Sequence, residues 1–120
     1  MRRVAAFALA AVALTCVGCV SEAATSAREL NEQALDLAIA GNLEAALPLF
    51  EAAVAAAPDS PEYHNNVGVT HMRLNNLEDA RECFQRALRI DPSHGDALRN
   101  MDELDALAVR AGGVRHHAAL

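Results

Sequence analysis

The sequence predicts an all-α fold: a helix-turn-helix array of two repeats, closed by a C-terminal capping helix. Three observations predict it. First, residues 61–94 laid over residues 27–60 give eight identities at a spacing of 34: Asn31/Asn65, Asn42/Asn76, Leu43/Leu77, Glu44/Glu78, Ala46/Ala80, Phe50/Phe84, Ala53/Ala87 and Pro58/Pro92. A fixed period of this length marks stacked helical units. Second, Leu43, Ala46, Phe50 and Ala53 are spaced by 3, 4 and 3 residues, which places them on one helical face. Third, no run alternates apolar and polar residues as a strand would. With no tryptophan, one tyrosine and three phenylalanines, the core must be built from Leu, Val, Ala and Phe, which suits closely approaching helices. A chain of 120 residues allows one domain.

The N-terminus reads as an address. Met1, Arg2 and Arg3 form a positive head, Val4 to Leu14 is an apolar run of eleven residues, and small residues follow. This is the layout of a secretory signal, and the run is short for a membrane-spanning helix. The residues after Arg3 do not continue a twin-arginine motif. Cys16-Val17-Gly18-Cys19 resembles a lipobox, with Cys16 standing where leucine is usual. The resemblance implies a signal peptide over 1–18, lipidation of Cys19, and a short tether over 19–26. Val20, where an aspartate would signal retention, implies an outer-membrane lipoprotein facing the periplasm. Several acyl chains on one cysteine would anchor firmly where a single chain is marginal. Two alternatives stay open: cleavage after Ser21-Glu22-Ala23, giving a soluble exported form, and a retained anchor.

Ser26-Ala27-Arg28-Glu29 has capping-box spacing and opens the first helix, whose buried stripe is Leu30, Ala34, Leu37 and Ala38. Gly41 stops it in left-handed geometry. Asn42 caps a second helix over roughly 43–56, with a bend expected at Pro48. Ser60 caps the third helix and Pro61 takes its first position. Asn75 replaces the glycine of the first turn, and Asn76 caps a fourth helix over roughly 77–90. Ser93 to Asp96 is a second capping-box-like start. A fifth helix over about 94–111 follows, with Leu98, Met101, Leu104 and Ala108 on one stripe and Asp102, Glu103 and Asp105 mostly off it. The segment 112–120 reads as a flexible tail.

The two copies resemble tetratricopeptide repeats (TPR). The small positions of that family fall on Ala34, Ala46 and Ala53, and one repeat later on Gly68, Ala80 and Ala87. Its bulky positions fall on Leu30, Gln33, Leu37, Leu43 and Phe50, then on His64, Val67, His71, Leu77 and Phe84. Gln33, His64 and His71 depart from the apolar or aromatic residues usual there, which implies looser packing of the first helix in each pair. The resemblance implies a TPR domain over 27–111, with repeats at 27–60 and 61–94 and a solvating helix at 94–111. It also implies a concave groove lined by the first helix of each pair: Asn31, Leu35, Ala38, Asn65, Val69, Met72, Arg73, Arg99 and Glu103. An amide at Asn31 and Asn65 would bond a peptide backbone whatever its side chains; the bland alternative is that asparagine merely tolerates exposure. Of the Lys, Arg and Asn set with which some TPR domains clamp a C-terminal carboxylate, only Asn66 fits, so chaperone-tail binding is not expected. Two repeats are fewer than the three that usually stand alone, so self-association or packing on a partner is expected to help.

Charge and side-chain chemistry narrow the function. The net charge is −6 and every basic residue is an arginine. Loss of residues 1–18 removes Arg2 and Arg3 and leaves eight arginines against sixteen acids, or −8. Such a surface has no basic patch for nucleic acid and favours basic or neutral partners. His64 and His71 lie seven residues apart and with Cys83 could be imagined as a metal site, but zinc pairs on helices are spaced by four, and packing is the simpler role. No phosphate loop or catalytic triad stands out, and neither an enzyme nor a cofactor is expected. The expectation is a protein–protein interaction module on the cell envelope that binds a partner peptide, as an assembly factor for an envelope machine. The alternatives are a self-associating structural subunit and a metal- or redox-linked periplasmic factor.

Overall fold

The structure is a computed structural model that describes residues 26–112. The signal peptide, Cys19, the tether up to residue 25 and the tail from residue 113 lie outside the described residues. Five helices follow one another: α1 over 26–39, α2 Leu43–Ala56, α3 Pro61–Arg73, α4 Leu77–Ile90 and α5 Gly95–Gly112. No strand occurs among the described residues, and no helix among them is long and apolar enough to cross a membrane. Helix α2 packs on α3, α3 on α4, and α4 on α5, while α3 also touches α5. The architecture is the all-α array of paired helices with a closing helix.

The turn inside each pair is built the same way twice. Gly41 has φ +90° and Asn75 φ +68°. In the first turn the Asn42 N–H reaches the Leu37 carbonyl at 2.8 Å and the Gly41 N–H the Ala38 carbonyl at 3.0 Å; Asn76 to His71 and Asn75 to Met72 repeat those distances in the second. This double closure needs one residue in left-handed geometry, which glycine and asparagine supply. Asn42 and Asn76 stand at the N-cap positions of α2 and α4, but neither side chain makes the expected capping bond. Each residue closes one helix while opening the next. Its ψ of 72° or 74° is held short of the extended geometry from which a cap side chain reaches back.

Other boundaries sharpen the sequence reading. The Ser60 hydroxyl accepts from the Tyr63 N–H at 3.2 Å, with Pro61 at the first helical position. Ser26 is already helical, so it does not stand before α1 as a cap. At the start of α5 the cap is His94, not Ser93: its Nδ1 accepts from the Ala97 N–H at 3.2 Å. Ser93 turns back instead, giving both its N–H and its hydroxyl to Asp91. Helix α2 runs through Pro48 without interruption.

Two clusters make the core. The first gathers Ala34, Ala38, Ala46, Phe50 and Val67, with Leu37, Leu43, Leu47, Leu49, Val54 and Cys83 packed around them. The second gathers Met72, Ala80, Phe84 and Leu104, with Val69, Leu77, Met101 and Leu107 around them. Alanine at the buried positions lets the helices approach, and each phenylalanine fills the gap so left, a burial that stabilises by roughly 1.5–3 kcal/mol. On α5 the inward residues are Ala97 and Leu104, both fully buried, with Met101 and Ala108 half-buried. Leu98, expected on that stripe, is one residue off it and lies 46% exposed.

Candidate functional site

The first helices of each pair stand in a row, α1 beside α3 beside α5, and amides bind them together. Asn66 Nδ2 donates to Asn31 Oδ1 at 2.9 Å, and Asn100 Nδ2 donates to Asn65 Oδ1 at 2.9 Å; both bonds span 35 residues. Asn31 and Asn65 are therefore not exposed lining residues. Both are buried, and their oxygens are committed to the next helix in the row. The same residue recurs at the same place because each repeat needs the same bond to its successor. The signal was legible: Asn66 and Asn100 are also one period apart, and an identity that continues into α5 extends the repeat beyond its second copy.

The other expected lining residues divide. Ala38 and Met72 are buried in the two clusters and Val69 is half-buried. Leu35, Arg73, Arg99 and Glu103 are exposed. Arg99 pairs with Asp96 on its own helix, whereas Arg73 makes no ion pair among the described residues. The sequence reading missed Ile39, which is 82% exposed. It lies four residues beyond Leu35, on the same side of α1, and one period before Arg73. The row thus presents an apolar pair on α1 and a cation on α3.

Behind the row, His64, His71 and Cys83 come together at one cleft of about 180 Å³ between α2, α3 and α4. His64 is buried and its Nε2 donates to the Pro58 carbonyl at 2.9 Å, tying α3 to the turn before it. His71 Nε2 lies 4.0 Å from Glu51 Oε2, a contact that is ionic only when the ring is protonated. Burial pushes the Cys83 thiol up to about 11; Glu82, Asp79 and Glu51 add to that, and Arg86 opposes it. A thiol in this state is a poor nucleophile at neutral pH. No group of three or more His, Cys, Asp or Glu among the described residues could hold a metal ion.

Helix pairs of fixed period, their first helices in one row and their second helices behind, define a helical-repeat protein. The chain belongs to the tetratricopeptide repeat family, whose sequence profile matches residues 31–95, more than half of its length. Among curated proteins it is similar to the protein adenylyltransferase fic-1 of Caenorhabditis briggsae, 34% identical over 79 residues, and to the TPR repeat-containing thioredoxin TTL4 of Arabidopsis thaliana, 32% identical over 78 residues. These matches take in 66% and 64% of this chain but only 15% and 11% of those proteins. Among solved structures, the second TPR domain of Spaghetti (RPAP3), bound to the HSP90 peptide SRMEEVD, superposes with a TM-score of 0.72 at 13% identity, over 83% of this chain and 92% of that one. At that identity the likeness is one of fold.

Proposed function

We propose that the chain is a peptide-binding module in which the α1–α3–α5 row receives a partner segment, and that lipid at Cys19 fixes the module to the cell envelope. The observation that carries the reading is the exposed pair Leu35 and Ile39 on α1, with the exposed Arg73 on α3 making no ion pair among the described residues. Apolar side chains left in water at helical spacing suit a short segment that covers them, with an acidic residue placed for the guanidinium. Support also comes from the solved neighbour, which carries a peptide. A different peptide is proposed here, because this chain has no lysine and the Asn66 amide is committed to Asn31. The module works by binding and not by catalysis; the enzymatic names of the relatives belong to chains of which this one spans a small part. A role in assembling an envelope machine is the reading we extend from this.

Selection of displayed peptides on the full chain tests the binding face. Selected peptides should lose at least tenfold in affinity to Ile39→Glu and to Arg73→Glu, with unchanged helicity, since both side chains are exposed. Unaltered affinity in both variants would move the interface off this row. Mass spectrometry of the chain expressed with its leader tests the anchor: a thioether-linked diacylglycerol on Cys19 is expected, and Cys19→Ser should release the protein from the envelope fraction. Cleavage beyond Ala23 would sink the anchored reading and leave a soluble exported module.

A further inference from the structure

We propose that the segment received by the α1–α3–α5 row is bipolar: an acidic residue, an apolar residue two places on, and a basic residue four places from the acid. This occupant rests on the row being the binding face, and gives that face's partner a chemistry and an order. The two amide bonds orient the row. Asn65 reaches α5 and Asn66 reaches α1, while Val67 and Gly68 are buried on the opposite side of α3. Successive side chains turn by about 100°, so the open side of α3 is the sector between the two asparagines. Glu62, Val69 and Arg73 fall inside that sector. One period earlier the same sector of α1 holds Leu35 and Ile39, and one period later that of α5 holds Glu103.

The charges of this sector are sorted by sign. Arg28 on α1 pairs with Glu32 at 3.7 Å, and Asp96 on α5 pairs with Arg99, each within its own helix. Arg73, Glu62 and Glu103 are exposed and make no ion pair among the described residues. Arg73 stands at one end of the row, one period after Ile39. Glu62 stands at the other end of α3, roughly 16 Å away along the helix. Glu103 is one period after Val69, between those two levels. A base midway between the two carboxylates therefore lies roughly 11 Å along the row from Arg73. An extended chain rises about 3.3 Å per residue, so this is a spacing of about four, and its alternate residues face one side. A spacing of four thus turns both charges to the row and sets the residue between them on Leu35, Ile39 and Val69. That central residue supplies the burial, because Ile39 is 82% exposed without it. The charges set order and orientation more than affinity. A uniformly basic segment would meet Arg73, and a uniformly acidic one Glu62 and Glu103.

The test is an NMR titration of the full chain with capped pentapeptides: Glu-Ala-Leu-Ala-Lys and its reverse Lys-Ala-Leu-Ala-Glu, beside the two-glutamate, two-lysine and leucine-free analogues. One of the two bipolar peptides should give saturable shifts at Ile39, Val69 and Arg73, with an affinity at least fivefold above every analogue. Arg73→Glu should make the two-lysine peptide the tightest, and Glu62→Lys/Glu103→Lys the two-glutamate peptide. All three side chains are exposed, so the variants should keep wild-type helicity. Both switches are gains of binding, which damage to the fold would not produce. Tightest binding of the two-lysine peptide to the wild type would overturn the charge order and leave a face that follows net charge. Equal affinity for the leucine-free analogue would overturn the apolar centre. If no pentapeptide binds while display-selected peptides still depend on Ile39, the charge order alone falls. If that dependence is absent as well, the row falls with it.

Discussion

Ala34 and Gly68 hold the same place in the two repeats, and one methyl group separates them. In the first pair the alanine packs into the cluster around Phe50. In the second, a methyl at Gly68 would stand 2.5 Å from Phe84 Cε1 and 2.7 Å from Cδ1. The Phe84 ring therefore fills the space that a side chain at position 68 would need. Phe84 is fully buried, and α5 covers its cluster with Leu104. Among the described residues the first pair has no such cover on α1, where Leu35 and Ile39 are exposed. The two cores are equally buried, so what distinguishes the pairs among the described residues is the extra helix over the second. The uncovered face of α1 is where the proposed partner segment would sit.

The sharpest way to break this comparison is to remove each ring. Phe84→Ala should cost about 4–5 kcal/mol and Phe50→Ala about 3 kcal/mol, both within the range for buried phenylalanine; urea unfolding followed by helicity measures them. The order matters more than the values, because the cavity under α5 is walled on more sides and collapses less. Equal losses would mean the two pairs are equally tight. Gly68→Ala comes next, at about 1–3 kcal/mol, since a fully buried ring has no room to yield. Helix propensity alone would make that change stabilising by roughly 1 kcal/mol, so the sign of the measured effect decides between the two terms. Ala34→Gly in the first pair should cost only about 1 kcal/mol. Smaller again is loss of a rung between first helices. Asn65→Ala takes the acceptor from Asn100 and should cost about 1 kcal/mol, read as faster amide exchange in α5 with α1 unaffected.

Much of this was legible in the chain. The period fixed the helix pairs because Leu, Ala and Phe recur at helical spacing, and the turns followed from Gly41 and Asn75, the two positions with positive φ among the described residues. The row's chemistry was less legible. Asn31 and Asn65 looked like free amides because a sequence shows what a residue can bond and not what stands opposite it. Their partners, Asn66 and Asn100, lie 35 residues away. Ile39 was passed over because it aligns with Arg73, so the period carries no shared chemistry at that place. The cap of α5 went to His94 and not Ser93 because an imidazole nitrogen one residue later reaches the Ala97 N–H. Histidine is not among the usual capping residues.

The smallest expected effect concerns one more paired position. Leu49 and Cys83 are one period apart, and both pack against the first cluster. In the second repeat the position is titratable, and burial pushes its thiol from the ordinary 9.0 up to about 11. The unfolded chain loses that proton near pH 9.0 and the folded chain holds it until about pH 11, so between these values the unfolded state binds fewer protons and stability falls as pH rises. Below pH 9.0 the contribution is complete and flat. Cys83 is only partly buried, so solvent screening trims the effect. Cys83→Ala removes a few atoms from the packing at every pH, a constant offset. The difference between wild type and variant should therefore be level below the window and shrink across it, in urea unfolding measured at successive pH values. Parallel curves through the whole range would mean that the thiol is as hydrated in the folded array as in the unfolded chain, and that the cleft it floors is open to water.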